Sequence, residues 1–446
     1  MSDMLKKAGG ENTVLKGVKI AQASFPRPFD TGLEYSAPAR GDWNIVHVGL
    51  LIPQSHQIYF CAQGCLRGVV QTTAEMEAMD RLSWAYLCDE DYAEGSLETN
   101  IIDSVSEVIK RMDKRPPCLL IFLSCMHLFA GVDFDMVIEE LESRFGGVDF
   151  VKCYMTPTMR FSGLAPMPTM YKQLYQPLRM TEKNSKSVNI IGYNWQLENS
   201  CELRDILSSA GVALREITAC KTYEEYLEMA QSAVNITIIP EATAAGADLE
   251  QRLGQKHLYL PVSFDAQLIM NNYQTLCDQL GIPMPDLSQQ QESAAQALKD
   301  AAKALSGRPV AVDYLAVHKP FELSRVLLEN GINVKRVFVD VINAEDEQAF
   351  SYLKENYPDI EVYPTVNASM RFFANENENE NEFVAIGQKA AYFCATDYFA
   401  DLVCAKGIYG FDGIKRLAAM LTEAAAVPKD RRKVIQHKGM GCQSCL

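Results

Sequence analysis

Along the chain, short continuous apolar runs alternate with longer stretches in which apolar residues recur every three or four positions. "HQIYF" (56–60) and "CLLIFLS" (118–124) have the length and continuity of buried strands, and helical spacing follows each, as in "FDMVIEELESRFG" (134–146). "SVNIIGYN" (187–194) leads to "ENSCELRDILSSAGV", a helix closing on a glycine. "VNITIIP" (234–240) leads to "ADLEQRLG", and "HLYLPV" (257–262) to "FDAQLIMNNYQTLCDQLG". After a long polar helix, "LSQQQESAAQALKDAAKALSG" (287–307), the alternation resumes with "RPVAVDY", "VKRVFVDVI" and "EFVAIGQ", the first two followed by helical segments. Strands alternating with helices of this length predict an α/β fold of doubly wound parallel sheets.

The number of units predicts three Rossmann-like domains. An N-terminal arm (1–43) precedes α/β domains over 44–175, 176–300 and 301–428, and a basic tail covers 429–446. The long polar helix is expected to bridge two of them. "NENENENE" (375–382) has no apolar period to bury and predicts a solvated loop.

Composition narrows the classes. At 446 residues the chain exceeds one core, and a net charge of −15 argues against binding a phosphate backbone, so no nucleic-acid partner is expected. The first residues lack the apolar segment of a signal peptide, and no run reaches the roughly 18 apolar residues that would suggest a membrane span. The expectation is a cytoplasmic protein without a membrane partner. Thiols stay reduced in that compartment, so the 13 cysteines are more than disulfides account for.

Ligands of doubly wound sheets sit at the C-terminal ends of strands. Cys61 and Cys65 follow "HQIYF", and Cys125 follows "CLLIFLS". If those two strands are neighbours, the three thiols meet at one edge. Thiolates suit zinc and iron-sulfur clusters, but a zinc site usually brings a second tight pair. The spacing alone leaves buried core thiols, a disulfide and a metal site all open. His56 and His127 lie near these cysteines in sequence and are candidates to support them by hydrogen bonding. Cys88 precedes several acids, which disfavour a thiolate, and stands as a weaker candidate. Cys442 and Cys445 form the one C-x2-C, on a tail with Lys438 and Arg432 nearby, and are weaker metal or redox candidates. Neither G-x-G-x-x-G after a strand nor G-x-x-x-x-G-K-[ST] occurs, so a redox enzyme of this kind would draw its electrons from a partner.

Several segments together resemble the nitrogenase component 1 superfamily. "IPQSHQIYFCAQGCLRG" is similar to the family segment ending in Gly-Cys, with Gly64 and Cys65 on that pair. "IFLSCMHLFAGVDFDMVIEEL" resembles the strand ending in a second cluster cysteine, here Cys125. "SVNIIGYNWQLENSCELRDILSSAGV" resembles the strand opening the second domain, and "GIYGFDGIKRLAAML" the closing helix.

The resemblance implies an oxidoreductase subunit with an iron-sulfur cluster, of four irons or more, at a subunit interface. A second metallocofactor or a substrate would occupy an inter-domain cleft. The implied partners are a homologous or identical component 1 subunit, in a dimer or heterotetramer, and an ATP-dependent iron-protein reductase. An assembly scaffold of the same family is the alternative.

The chain also departs from the pattern. Residues 1–60 contain no cysteine, where relatives usually supply an upstream cluster ligand, and Cys61 is a candidate replacement. Ile239 falls nearest the position of the cofactor cysteine of the nitrogenase alpha subunit, and "CATDYFADLVCAKGIYGFDG" has no histidine. These departures point to a beta-type or divergent subunit.

Overall fold

The computed structural model describes residues 17–30, 32, 34–39, 43–156, 165–371, 373 and 381–435. Cys442, Cys445 and most of the "NENENENE" run lie outside the described residues. In chain order the strands are β1 (Val18–Lys19), β2 (His56–Cys61), β3 (Leu82–Tyr86), β4 (Cys118–Ser124), β5 (Asp149–Met155), β6 (Asn184–Ile191) and β7 (Ala213–Glu216). They continue with β8 (Ser232–Thr237), β9 (Lys256–Tyr259), β10 (Val310–Asp313), β11 (Val334–Phe338), β12 (Glu361–Tyr363), β13 (Val384–Ile386) and β14 (Phe399–Ala400). They form three sheets, in the orders β3-β2-β4-β5, β7-β6-β8-β9 and β1-β12-β11-β10-β13-β14. The chain is an α/β protein of parallel sheets, and β1 is the one described strand paired antiparallel.

One compact unit comprises Trp43–Gln196 and Arg204–Pro261 and holds the first two sheets. In the first, β2 and β4 are buried along their whole length, as expected of strands covered on both faces. One face carries Ile58, Phe60, Leu119, Ile121 and Leu123 against Ile101, Val105 and Ile109 of the helix Leu97–Arg111 and Val137 and Leu141 of the helix Phe134–Arg144. Each such side chain contributes about 1.5–3 kcal/mol of transfer free energy. On the opposite face Tyr59 stacks on Phe122 at 4.3 Å, and its hydroxyl donates to Gln57 Oε1 at 2.7 Å. Sequence alternation puts Cys61 on the Tyr59 face.

A polar ladder crosses the second sheet. Asn189 Nδ2 donates to Asn235 Oδ1 (2.8 Å), Asn235 Nδ2 to Gln255 Oε1 (3.2 Å), and Ser232 Oγ to Asn189 Oδ1 (2.8 Å). All four side chains are buried, so each bond spares an amide or hydroxyl the cost of lost hydration.

The other unit comprises the described parts of Met1–Asp42, Leu197–Leu203 and Val262–His437 and holds the third sheet. There the N-terminal segment pairs as β1 with the edge strand β12, and Ile20 N–H donates to Ile360 O at 2.7 Å. The polar helix Ser288–Leu305 buries Ala294, Leu298, Ala301 and Leu305 and packs along the helix Gly410–Ala426 of the same unit.

Two buried carboxylates fix this unit's turns. Asp313, at the end of β10, accepts from the backbone N–H groups of Leu315, Ala316 and Ala390, each at 2.9 Å. It fills the space where a Cβ on Gly387, at φ +100°, would sit 2.3 Å from its Oδ2. Glu202 holds the start of the helix Gly410–Ala426, accepting from Phe411 N–H, from Asp412 N–H at 3.0 Å and from Tyr273 Oη at 2.9 Å. Gly410 has φ +63°, and a Cβ there would fall 2.0 Å from Tyr273 Oη and 2.2 Å from Glu202 Oε1.

Among the described residues no helix is long and apolar enough to cross a membrane.

Replacing Gly410 by Ala combines a left-handed backbone cost with a collision against a fixed carboxylate. We expect Gly410→Ala to destabilise the fold by roughly 2–4 kcal/mol, seen as a lower urea midpoint.

A candidate metal centre at one sheet edge

β2, β3 and β4 are neighbours and run parallel, with Phe60 opposite Leu123 and Cys61 opposite Tyr86. Their C-terminal ends therefore lie side by side, about 4.8 Å apart from strand to strand. Cys61 is the last residue of β2. Cys65 lies in the first turn of the helix Gln63–Glu75, its N–H donating to Ala62 O at 2.9 Å. Cys125 opens the helix Cys125–Ala130 directly after β4. Cys88 follows β3 by two residues and precedes the helix Asp89–Glu94. The sheet order thus carries all four thiols to one edge.

Their surroundings differ. Cys61 is fully buried, and burial together with the neighbouring Cys65 pushes its thiol up to about 11. Cys65 and Cys88 are exposed, and Cys125 is half-buried. Among the described residues no three His, Cys, Asp or Glu side chains are arranged to hold a single metal ion. Thiolates are soft donors, of the type that iron-sulfur clusters take as ligands. The remaining described cysteines lie elsewhere. Cys118 starts β4 at the opposite end, and Cys153 is inside β5; burial raises both thiols far above the usual range. Cys201, Cys277, Cys394 and Cys404 are buried, and Cys220 is half-buried.

The two histidines separate. His127 is in the first turn after Cys125, buried, with Nδ1 3.1 Å from Ser124 Oγ and its ring edge-on to Phe60. Burial lowers its pKa, against the raising influence of Ser124, Asp91 and Glu98. It is placed to orient the segment bearing Cys125. His56 is at the wrong end. It begins β2, so five residue steps, or about 17 Å of strand, separate it from Cys61. Its Nε2 lies 2.8 Å from Ser83 Oγ, and burial, then the nearby Arg81, lower its pKa to about 4. The expectation that His56 supports the thiols is corrected: the two are close in sequence, but an extended strand holds them apart.

Exposed apolar side chains stand at the end of β3 and on the short helices that follow β3 and β4. Phe129 is 72% exposed and Tyr86 49%, accompanied by Tyr92, Met126 and Leu128. Tyr92 Oη donates to Met126 O, tying the segment after β3 to the segment after β4. The signal in the sequence was the Leu82-Trp84-Tyr86 alternation, which gives an edge strand an aromatic face.

A profile of the family described as nitrogenase component 1 type oxidoreductase matches residues 46–425. The chain belongs to this family. No curated protein matches it. Among solved structures, nitrogenase Cp1 at pH 6.5 aligns with a TM-score of 0.68 at 15% identity, covering 89% of this chain and 94% of that one. Nitrogenase Cp1 at pH 5 aligns with a TM-score of 0.57 at 11% identity, covering 94% and 92%. At these identities the structures attest the fold of a component 1-type oxidoreductase, as the resemblance implied.

His56 is held neutral in the folded state and binds a proton more readily when unfolded. Its contribution to stability is present above the ordinary pKa of 6.5 and is lost as pH falls through about 4. His56→Gln should flatten the loss of thermal stability across that interval, read as Tm against pH.

Proposed function

We propose that this component 1-type chain is a subunit of a nitrogenase-like oxidoreductase. In this reading it holds an iron-sulfur cluster at a subunit interface and accepts electrons from a separate ATP-dependent iron protein to reduce a substrate. What supports it is the position of Cys61, Cys65 and Cys125 at or just after the C-terminal ends of adjacent parallel strands, with exposed aromatic and aliphatic side chains on the segments that follow β3 and β4. When bound, the cluster would supply one-electron transfer, at a potential tuned by burial and by hydrogen bonds to sulfur. The protein's part is to present deprotonated thiols, to hold the Cys125 segment through Ser124 and His127, and to exclude water. A partner surface over Phe129, Tyr86 and Tyr92 would complete that exclusion, since exposed patches of this kind mark interaction sites.

A second reading is a cluster-assembly scaffold of the same family. It is favoured by Ile239, a buried aliphatic nearest the position where the resemblance would put a cofactor cysteine, and by the lack of histidine from Cys394 to Gly413. Either feature suits a chain that does not itself carry the catalytic cofactor. Electron flow from a reduced iron protein to a substrate favours the enzyme; release of a cluster to a second protein without turnover favours the scaffold.

Protein purified anaerobically from iron-replete cells is expected to be brown and to contain iron and sulfide. Cys65→Ala and Cys125→Ala should each lose most of that iron by elemental analysis, while Cys220→Ala retains it. Colourless protein holding only zinc would overturn the reading.

A further inference from the structure

The helix Pro320–Glu329 follows β10, and buried ionisable side chains crowd its first turn. Lys319 is 5% exposed, Glu322 4% and Asp346 0%. Lys319 Nζ donates to Glu322 Oε2 at 2.7 Å. Asp346, from the turn before the helix Glu347–Asn356, accepts from Phe321 N–H at 2.8 Å and from Glu322 N–H at 2.7 Å. Among the described residues, two buried carboxyl groups thus stand against one buried ammonium. With both ionised, one negative charge lacks a cation where water does not reach, and only the start of the helix offsets it.

Glu322 has a second task. Its Oε1 accepts from Ser263 Oγ and from Phe264 N–H, both at 2.8 Å. These residues lie on the segment by which the chain enters this unit at Val262, just ahead of the helix Ala266–Leu280. Arg325, three residues after Glu322, donates to Asp265 Oδ2 at 2.6 Å. Asp265 in turn caps the helix Ala266–Leu280 by accepting from Gln267 N–H at 2.9 Å and Leu268 N–H at 3.1 Å. One face of the helix Pro320–Glu329 therefore grips the entering segment at two points.

We propose that Asp346 and Glu322 form a proton-controlled latch on this segment. With one proton on the pair, Glu322 holds Ser263 and Phe264; with the proton released to water, that hold loosens while the Arg325–Asp265 pair remains. The latch needs no metal and does not depend on the functional reading above.

The asymmetry between the two carboxyls explains which one yields. Asp346 faces two N–H groups at a helix start, a setting that favours its ionised form and keeps it in place. Glu322 reaches a hydroxyl and a single N–H on a segment outside its own helix. Burial pushes the Asp346 carboxyl up to about 7, against the pull of the Phe321 and Glu322 N–H groups; the Glu322 charge adds to the rise and Lys319 opposes it. Two carboxyls this close titrate as a pair. The other charges nearby are less confined. Glu345 and Glu347, beside Asp346 in the chain, are exposed, as is Glu329; His318, Arg325 and Asp265 are half-buried. Asp313, at the end of β10, faces its own three N–H groups. A carboxyl held above its ordinary 3.8 stabilises the closed latch at low pH, and that contribution is lost as pH rises through about 7.

The Phe264 amide reports the latch directly, because its N–H is a group that Glu322 holds. Hydrogen exchange of the full chain, corrected for intrinsic rates, should show protection at Phe264 falling by roughly threefold or more from about pH 5 to about pH 8. The helix Leu97–Arg111, in the other unit, is the reference for global stability. Glu322→Gln keeps an acceptor for Phe264 and removes the like charge, and Asp346→Asn removes the titrating carboxyl. In both variants protection at Phe264 should stay level against the reference over that range. A level profile in the unchanged chain overturns the latch, and so does a fall of equal size in Glu322→Gln. If Asp346→Asn does not fold, shown by lost protection in the reference helix, the unchanged chain and Glu322→Gln decide between the same two outcomes.

Discussion

Because β2, β3 and β4 run parallel and in register, every segment that leaves them starts from the same edge of the sheet. A parallel sheet cannot turn back through a tight hairpin; each strand must launch a crossover, and the launches are neighbours. The burial of β2 and β4 on both faces holds this arrangement in place, through the Ile58–Phe60 side against two helices and the Tyr59–Phe122 stack on the other. Where the thiols stand follows from that constraint. Four cysteines separated by as many as 64 positions in the chain end at one edge because the strands before them are paired, and for no reason visible in their own spacing.

The sequence was most informative where one physical term dominates. "CLLIFLS" coincides with β4, since a run with no polar residue before its final serine has only a doubly covered strand to occupy. The glycines closing helices and the polar character of the helix Ser288–Leu305 were equally plain, although that helix packs within one unit along Gly410–Ala426. Strand order was not legible. Whether β2 lies beside β4 depends on tertiary pairing, so the meeting of Cys61 with Cys125 stood as a conditional expectation until the registers were known. His56 shows the same limit in reverse. Five residues is a short interval in sequence and a long one in a strand.

The two sets of buried polar groups play different structural parts. The amide ladder of Asn189, Asn235 and Gln255 pairs neutral groups with one another across β6, β8 and the start of β9, so a slip of one residue would leave amides facing apolar side chains. Glu202 is a carboxyl group turned inward, and it stands against backbone N–H groups at the start of a helix, where the macrodipole favours a negative group.

Asp313 repeats that arrangement with a further consequence. In the third sheet the strand order reverses at β10, so the gap between the ends of β10 and β13 is where a doubly wound fold ordinarily cradles the phosphates of a nucleotide on a glycine turn and free amides. Here Gly387 supplies the turn, but the amides of Leu315, Ala316 and Ala390 already face the Asp313 carboxylate. The fold carries its own anion in the phosphate's seat. A sheet plugged in this way is braced from within at the point where others of its kind seat a ligand.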